Sequence, residues 1–298
     1  MLHVDGCAGY ALVLSGGGVT GVAWETGLLK GLRDAGFDLA GADLIVGTSA
    51  GSIVGTQIAA GLDLDAMYAR QLEPPDPRFE YAPKVDFLQE FARLGSELTA
   101  AASTQPADEP GMPQSARAAV GRRALEAQTA PESERLEIIA RRLAVTDWPS
   151  RRLVVTAVDV DDGSFVTWNR DSGVQLTSAV ASSCAVPFVW PPVTINGRRY
   201  MDGGLRSGTN ADLAVGYERV VVLTPMGSIS PLGSSLVKEQ RVLKQSGASV
   251  LIVEADAEAV AVFGPNPLDP AHRGAAAQAG LRQAASVAER VAEAVRAT

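Results

Sequence analysis

The sequence predicts an α/β fold, with a mostly parallel central sheet flanked by helices. Two observations carry that expectation. Between residues 10 and 60 a short apolar run passes through a glycine-rich turn into a helical pattern, and the same succession then occurs a second time. Further strand-length apolar runs at 153–158, 219–224 and 249–253 recur among helical patterns, as helices layered over a parallel sheet require.

Taken in order, residues 10–15 read as a buried strand, 16–21 as a glycine loop and 22–32 as a helix. Residues 44–46 form a second strand that ends in Gly47-Thr-Ser-Ala-Gly51, and 53–60 continue as a helix with Gly61 past its end. From about 72 to 131 the chain is proline-punctuated and polar, with helical patches at 85–98 and 117–127. That stretch reads either as a helical or mobile lid insertion or as a disordered surface excursion. A helix at 132–143 precedes paired strands at 153–158 and 164–168, joined by the acidic turn 159–163. A helix follows at 175–185, then a hairpin over 193–201 about Asn196-Gly197. Helices at 235–245 and 272–297 complete the set. No repeat period is present, so one domain over 1–298 carrying the insertion is the economical organisation.

Composition narrows the function. The chain is 46% hydrophobic and 20% charged, with a net charge of −8, and a pI near 4.9. Without excess cations it is not a nucleic-acid binder. The same charge opposes docking on an anionic membrane, so transient contact with membranes or lipid aggregates would use apolar surface. Cys7 falls in an expected N-terminal loop and Cys184 in a small-residue apolar run that suits a buried hydrophobe. Neither has metal-ligand spacing, and no metal or cofactor is expected. No run is long enough for a bilayer span or a signal-peptide core, so a cytoplasmic location is expected. Nothing in the sequence specifies an oligomeric state.

The chemistry concentrates in three short motifs. Gly47-Thr-Ser49-Ala-Gly51 lies between a strand and a helix, the context of a nucleophile elbow, where glycines two positions either side of the serine allow a very tight turn. Gly16-Gly-Gly18-Val-Thr-Gly21 can turn several amides toward one point, which suits an oxyanion hole. It also matches a dinucleotide fingerprint, although no acid ends the second strand. Asp202-Gly203-Gly204 closes a hairpin strand, where a carboxylate could act directly on a serine. The competing base is a histidine. His3 precedes the first strand, so an α/β-hydrolase arrangement would have to use His272.

Together, the order and spacing of these blocks resemble the patatin-like phospholipase family, as do Ala181-Ser-Ser-Cys-Ala-Val-Pro187-Phe and Asn210. The resemblance covers about residues 10–225. It implies a patatin-like three-layer fold, a Ser49–Asp202 dyad, an oxyanion hole from Gly16, Gly17 and Gly18, and hydrolysis of glycerolipid acyl esters without a metal. Gly21, Gly47, Gly51, Gly203 and Gly204 would support those motifs. One departure stands out. The family commonly carries Arg or Lys where this chain has Thr20, so either a charge that would meet a phosphate headgroup is missing, or Thr20 caps the following helix. The alternatives are an esterase using His272 and a nucleotide- or lipid-binding module without turnover.

Overall fold

In the computed structural model of the chain, residues 7–80, 82–83, 93, 110–227 and 235–296 are described. Among them, eight strands form one sheet: β1 (Cys7–Leu14), β2 (Leu44–Gly47), β3 (Leu153–Asp159), β4 (Phe165–Trp168), β5 (Val193–Ile195), β6 (Arg198–Asp202), β7 (Tyr217–Thr224) and β8 (Ser249–Glu254). Strands β8, β7, β1, β2 and β3 are neighbours in that order and all parallel. The last three form the antiparallel end: β4 and β6 both pair with β3, and β5 pairs with β6. A mostly parallel sheet was the expectation, and it holds. Cys7, expected in a loop, instead opens β1 opposite Tyr217.

The crowding around β3 decides where the site forms. β4 pairs along 155–158, overlapping β2 at Val155 and β6 at Ala157 and Val158. A strand has only two hydrogen-bonding edges, so β4 takes one and both β2 and β6 share the other. On that shared edge β2 runs parallel to β3 and stops at Val155, opposite Gly47. β6 runs antiparallel and stops at Ala157, opposite Asp202. The two chains therefore point at each other across Thr156.

Side-chain alternation along the strands builds a layer on each face. Leu12, Leu14, Ile45, Val155, Val221 and Leu223 pack one way, against α1 (Gly18–Asp34), α2 (Ala50–Ala59), α3 (Leu64–Leu72) and later helices. Ala11, Val13, Leu44, Val46, Val220 and Val222 pack the other way. Beyond α4 (Gln114–Glu126), α5 (Glu132–Leu143) and α6 (Leu176–Ser183), that second face is covered by α7 (Ser235–Gln245) through Leu243. α8 (Ala257–Phe263) and α9 (Arg273–Val295) close the first face.

The expected helical patch at 85–98 lies, but for residue 93, outside the described residues. The later part of the same stretch is fixed in place. α4 buries Ala116, Ala119, Val120 and Ala124, and Val120 and Ala124 pack with Val158, Val160, Met201 and Leu205. Its small residues let the backbone approach so closely that a β-carbon on Gly121 would strike the Val160 carbonyl. A polar composition hid this contact face, because alanines and a glycine carry it.

The closest helix pair is α1 with α9. A β-carbon on Gly27 would strike the Ala277 carbonyl, and one on Gly280 would strike the Trp24 carbonyl. Overpacking of this kind costs about 1–3 kcal/mol, which in a chain of this length corresponds to a fall in Tm of roughly 2–10 °C. Gly280→Ala is expected to lower the thermal midpoint by that amount, read by circular dichroism. An unchanged midpoint would show that the two helices can separate freely.

Candidate active site

Ser49 sits at the first turn between β2 and α2 with φ 51° and ψ −113°, a left-handed conformation that an L-residue adopts only under constraint. Four backbone hydrogen bonds supply the constraint. The Ser49 N–H donates to Ser183 Oγ at 2.9 Å. Its carbonyl accepts from the Ser52 N–H at 2.9 Å, from Ser52 Oγ at 2.6 Å and from Cys184 Sγ at 3.3 Å. The flanking glycines are steric necessities: a β-carbon on Gly51 would strike the Leu14 carbonyl, and one on Gly47 would press on the backbone of Gly51 and Ser52. The serine hydroxyl thus stands clear at the N-terminus of α2, where backbone dipoles favour negative charge.

Across Thr156 lies Asp202, 5% exposed. Its Oδ1 accepts the Gly204 N–H at 2.7 Å. Burial pushes the Asp202 pKa up from 3.8 to about 7, opposed by the neighbouring Ser49 side chain, by the Gly204 amide and by the nearby charge of Arg135. The Asp202 N–H donates to the Ala185 carbonyl at 3.0 Å. The C-terminal end of α6 therefore grips both halves of the pair, Ser49 through Ser183 and Cys184, and Asp202 through Ala185. Cys184 itself is a buried thiol pushed up to about 11, in keeping with a packing residue.

Of the three consecutive glycines, Gly16 lies nearest the serine: a β-carbon there would sit 3.6 Å from Ser49 Cβ. Its amide, expected to face the oxyanion, instead donates to the Gly208 carbonyl at 2.8 Å. That bond anchors the loop and leaves Gly17 and Gly18, whose amides meet no acceptor among the described residues. Gly18 has φ +65°, and a β-carbon on it would meet the Pro267 carbonyl at 2.7 Å, so only glycine fits. The helix α1 starts at Gly18 rather than beyond Gly21, and Gly21 already closes its first turn onto the Gly17 carbonyl at 2.8 Å.

Thr20 corrects both sequence readings. It is completely buried in the first turn of α1, its N–H donating to the Pro267 carbonyl at 3.1 Å and its hydroxyl lying 3.4 Å from the Gly17 and Pro267 carbonyls. There is no room for a basic side chain to reach a headgroup, and Gly17, not Thr20, is the cap. His272 ends up at the start of α9 with its ring against Gly264. His3 lies outside the described residues.

The resemblance singled out Asn210 and the block holding Ser183 and Cys184, but not what they fasten together. Asn210, itself in the left-handed region at φ 51°, donates through Nδ2 to Thr48 Oγ1 at 3.1 Å, to the Gly203 carbonyl at 3.3 Å and to the Ser207 carbonyl at 2.8 Å. Thr48 Oγ1 in turn lies 2.9 Å from Thr156 Oγ1. Elbow, acid turn and β3 are joined by one buried chain of hydrogen bonds. Glu25 on α1 is also buried beneath this end of the sheet, and burial holds its carboxyl well above the usual range.

A family model described as patatin-like phospholipase matches residues 12–215, more than half of the chain. The chain belongs to the patatin-like phospholipase family. That membership makes it a lipid acyl hydrolase by family, and its mixed sheet between helical layers is the patatin-like fold. No curated protein matches it closely. Among solved structures, VipD from Legionella pneumophila aligns at 13% identity and TM-score 0.45, over 95% of this chain and 67% of that one. ExoU of the Pseudomonas aeruginosa type III secretion system, solved with SpcU, aligns at 15% and 0.40, over 97% and 53%. Human GIVD cytosolic phospholipase A2, in complex with methyl gamma-linolenyl fluorophosphonate, aligns at 10% and 0.43, over 98% and 60%. The chain thus spans about half to two thirds of these patatin-like structures, and the family match alone carries the assignment. Among the described residues no helix is long and apolar enough to cross a membrane.

A buried carboxyl with a raised pKa has a signature in stability. Native Asp202 keeps its proton to higher pH than the unfolded chain does, so its contribution is fully present below about pH 4 and is lost as pH rises through about 7. At full ionisation the cost is about 4 kcal/mol at most. Asp202→Asn removes the ionisation while keeping an acceptor for Gly204. The variant is expected to melt several degrees above wild type at pH 8, with the gap closing toward pH 4. A gap independent of pH would contradict the raised pKa.

Proposed function

We propose that the chain hydrolyses acyl esters of glycerolipids, phospholipids among them, with Ser49 as nucleophile and Asp202 as its general base. The observation that carries this reading is a strained, buried serine placed beside a buried carboxyl whose pKa is pushed up to about 7. An ordinary aspartate is a feeble base for an alcohol. Desolvation raises its proton affinity toward the working pH, the range in which general bases are most effective.

In the reaction, ionised Asp202 takes the Ser49 proton as Oγ attacks the ester carbonyl. The amides of Gly17 and Gly18, with the N-terminal dipole of α2, stabilise the oxyanion. Asp202 then returns the proton to the departing alkoxide, leaving an acyl-enzyme and a free lyso-lipid or alcohol. A water molecule, deprotonated by the same carboxylate, attacks the acyl-enzyme, and the collapsing intermediate regains its serine proton and releases a fatty acid. Gly16 serves by anchoring the loop, and Gly21, Gly47, Gly51, Gly203 and Gly204 by permitting the turns. We read 1–298 as one patatin-like domain. Within the 72–131 stretch α4 belongs to the packed domain, and most of the part before it lies outside the described residues. Substrate is reached at a lipid surface through apolar contact, since Thr20 offers no charge to a headgroup.

Ser49→Ala and Asp202→Asn are each expected to reduce hydrolysis of p-nitrophenyl butyrate and of phosphatidylcholine vesicles by at least about a thousandfold. His272→Ala should remain within a factor of two. Fluorophosphonate labelling should map to Ser49 alone. A dead histidine variant beside a live Asp202→Asn would establish the alternative base.

The rate should also rise with pH along a single acid limb centred near 7, because only ionised Asp202 can accept the proton. A limb near pH 4 in steady-state kcat/KM would show that the carboxylate acts in an unperturbed state, and would remove the main support for the dyad.

A further inference from the structure

The loop that follows the acid turn, residues 207–211, holds the candidate site from behind, and it alternates. Gly208 gives its carbonyl to the Gly16 amide, at 2.8 Å, and so fixes the glycine loop. Asn210 bonds the elbow at Thr48 and the acid turn at Gly203. The intervening residues face the other way, toward Glu239 on α7. Thr209 Oγ1 donates to Glu239 Oε2, and the Ala211 N–H donates to the same oxygen at 3.0 Å. Glu239 is completely buried, as is Asn210, and Ser207 and Ala211 with them. Arg206 closes the arrangement from the surface side, bonding Asn210 Oδ1 and Asp212 Oδ1, each at 2.9 Å.

We infer that Glu239 is a positioning residue for the reaction: by holding Thr209 and Ala211 on either side of Asn210, it sets the loop that aligns the glycine loop, the elbow and the acid turn with one another. Residue 239 lies beyond the span matched by the family model, which ends at 215. A helix outside the shared region thereby controls the geometry of motifs inside it. The inference rests on the Ser49–Asp202 reading, since it assigns Glu239 to that site.

A core carboxylate with no role in geometry would also stabilise the fold, so stability alone is uninformative. The discriminating measurement is the split between kcat and KM. Glu239→Leu keeps much of the buried bulk and removes the one oxygen to which both Thr209 and Ala211 donate. Displacements of about an ångström at a reacting centre cost up to roughly a hundredfold. We expect kcat for p-nitrophenyl butyrate to fall about ten- to a hundredfold with KM within a factor of two, and the rate of fluorophosphonate labelling of Ser49 to fall in parallel.

Leu243→Ala supplies the control. It removes a buried side chain of the same helix, in the cluster that also holds Ala211, while leaving both hydrogen bonds from the loop to Glu239 in place, and should lower the melting temperature while leaving kcat near wild type. Asn210→Ser should resemble Glu239→Leu, and the double variant should be no slower than about the worse single one, because both act through one loop. Wild-type kcat in folded Glu239→Leu, losses that multiply in the double variant, or a kcat loss in Leu243→Ala equal to that in Glu239→Leu would each overturn the inference. Failure of the underlying reading is separate. In that event Ser49→Ala and Asp202→Asn would themselves remain active, whereas inactivity of those two beside a wild-type Glu239→Leu would remove only the role of Glu239.

Discussion

Strands β2 and β6 meet head-on along one edge of β3, and the rest of the site depends on that meeting. Each strand ends because the other occupies the edge beyond it: β2 must leave the sheet after Gly47, and β6 after Asp202. Chains that leave a sheet at a blocked edge have to turn sharply. The residues at the turns are Ser49, with glycines two positions either side, and Asp202, followed by two glycines, so two motifs about 150 positions apart in sequence are delivered to one place. A sheet in which β6 paired elsewhere would retain both motifs and lose their contact.

Such a junction exposes polar backbone at a buried place, and unsatisfied groups there would be costly. The protein answers with hydroxyls and amides of small side chains. Thr156 and Thr48 bridge the gap, Asn210 bonds both strand ends, and Ser183 accepts the amide that the turn at Ser49 leaves unpaired. Satisfying the junction and holding Ser49 in a strained conformation are one and the same task. Burial then acts on the carboxyl group in the gap, Asp202, and raises its proton affinity.

How much of this was legible follows from the range over which each signal acts. Local signals were read well. The elbow, the Asn196-Gly197 hairpin and the helices Glu132–Leu143 and Ser235–Gln245 announce themselves through turn residues and periodicity within a dozen positions. The short helices Leu64–Leu72 and Ala257–Phe263 were overlooked, although Asp63 and Asp256 cap them, because a single cap before so brief an apolar pattern is weak. The start of α1 was placed too late because three glycines discourage a helix in isolation, whereas here Pro267, packed from the far end of the chain, receives the Thr20 amide. The motifs of the site were visible, but the fastenings were not. Ser183 meets Ser49 from 134 positions away and Asn210 meets Thr48 from 162, and nothing in a serine or an asparagine records such a partner.

The head-on junction also orders events in time. β1, at the centre of the sheet, pairs with β2 within about forty residues but with β7 only across some two hundred, and β6 can reach β3 only after the intervening segments have found their layers. Contacts of such long sequence separation form late, after the entropy of closing large loops has been met. The left-handed turn at Ser49 is held by groups from α6, so an intermediate containing β1, β2 and α2 alone would relax it. The strained turn at Ser49 therefore comes into being only with the finished topology, and a nascent or partly folded chain carries Ser49 in a relaxed conformation.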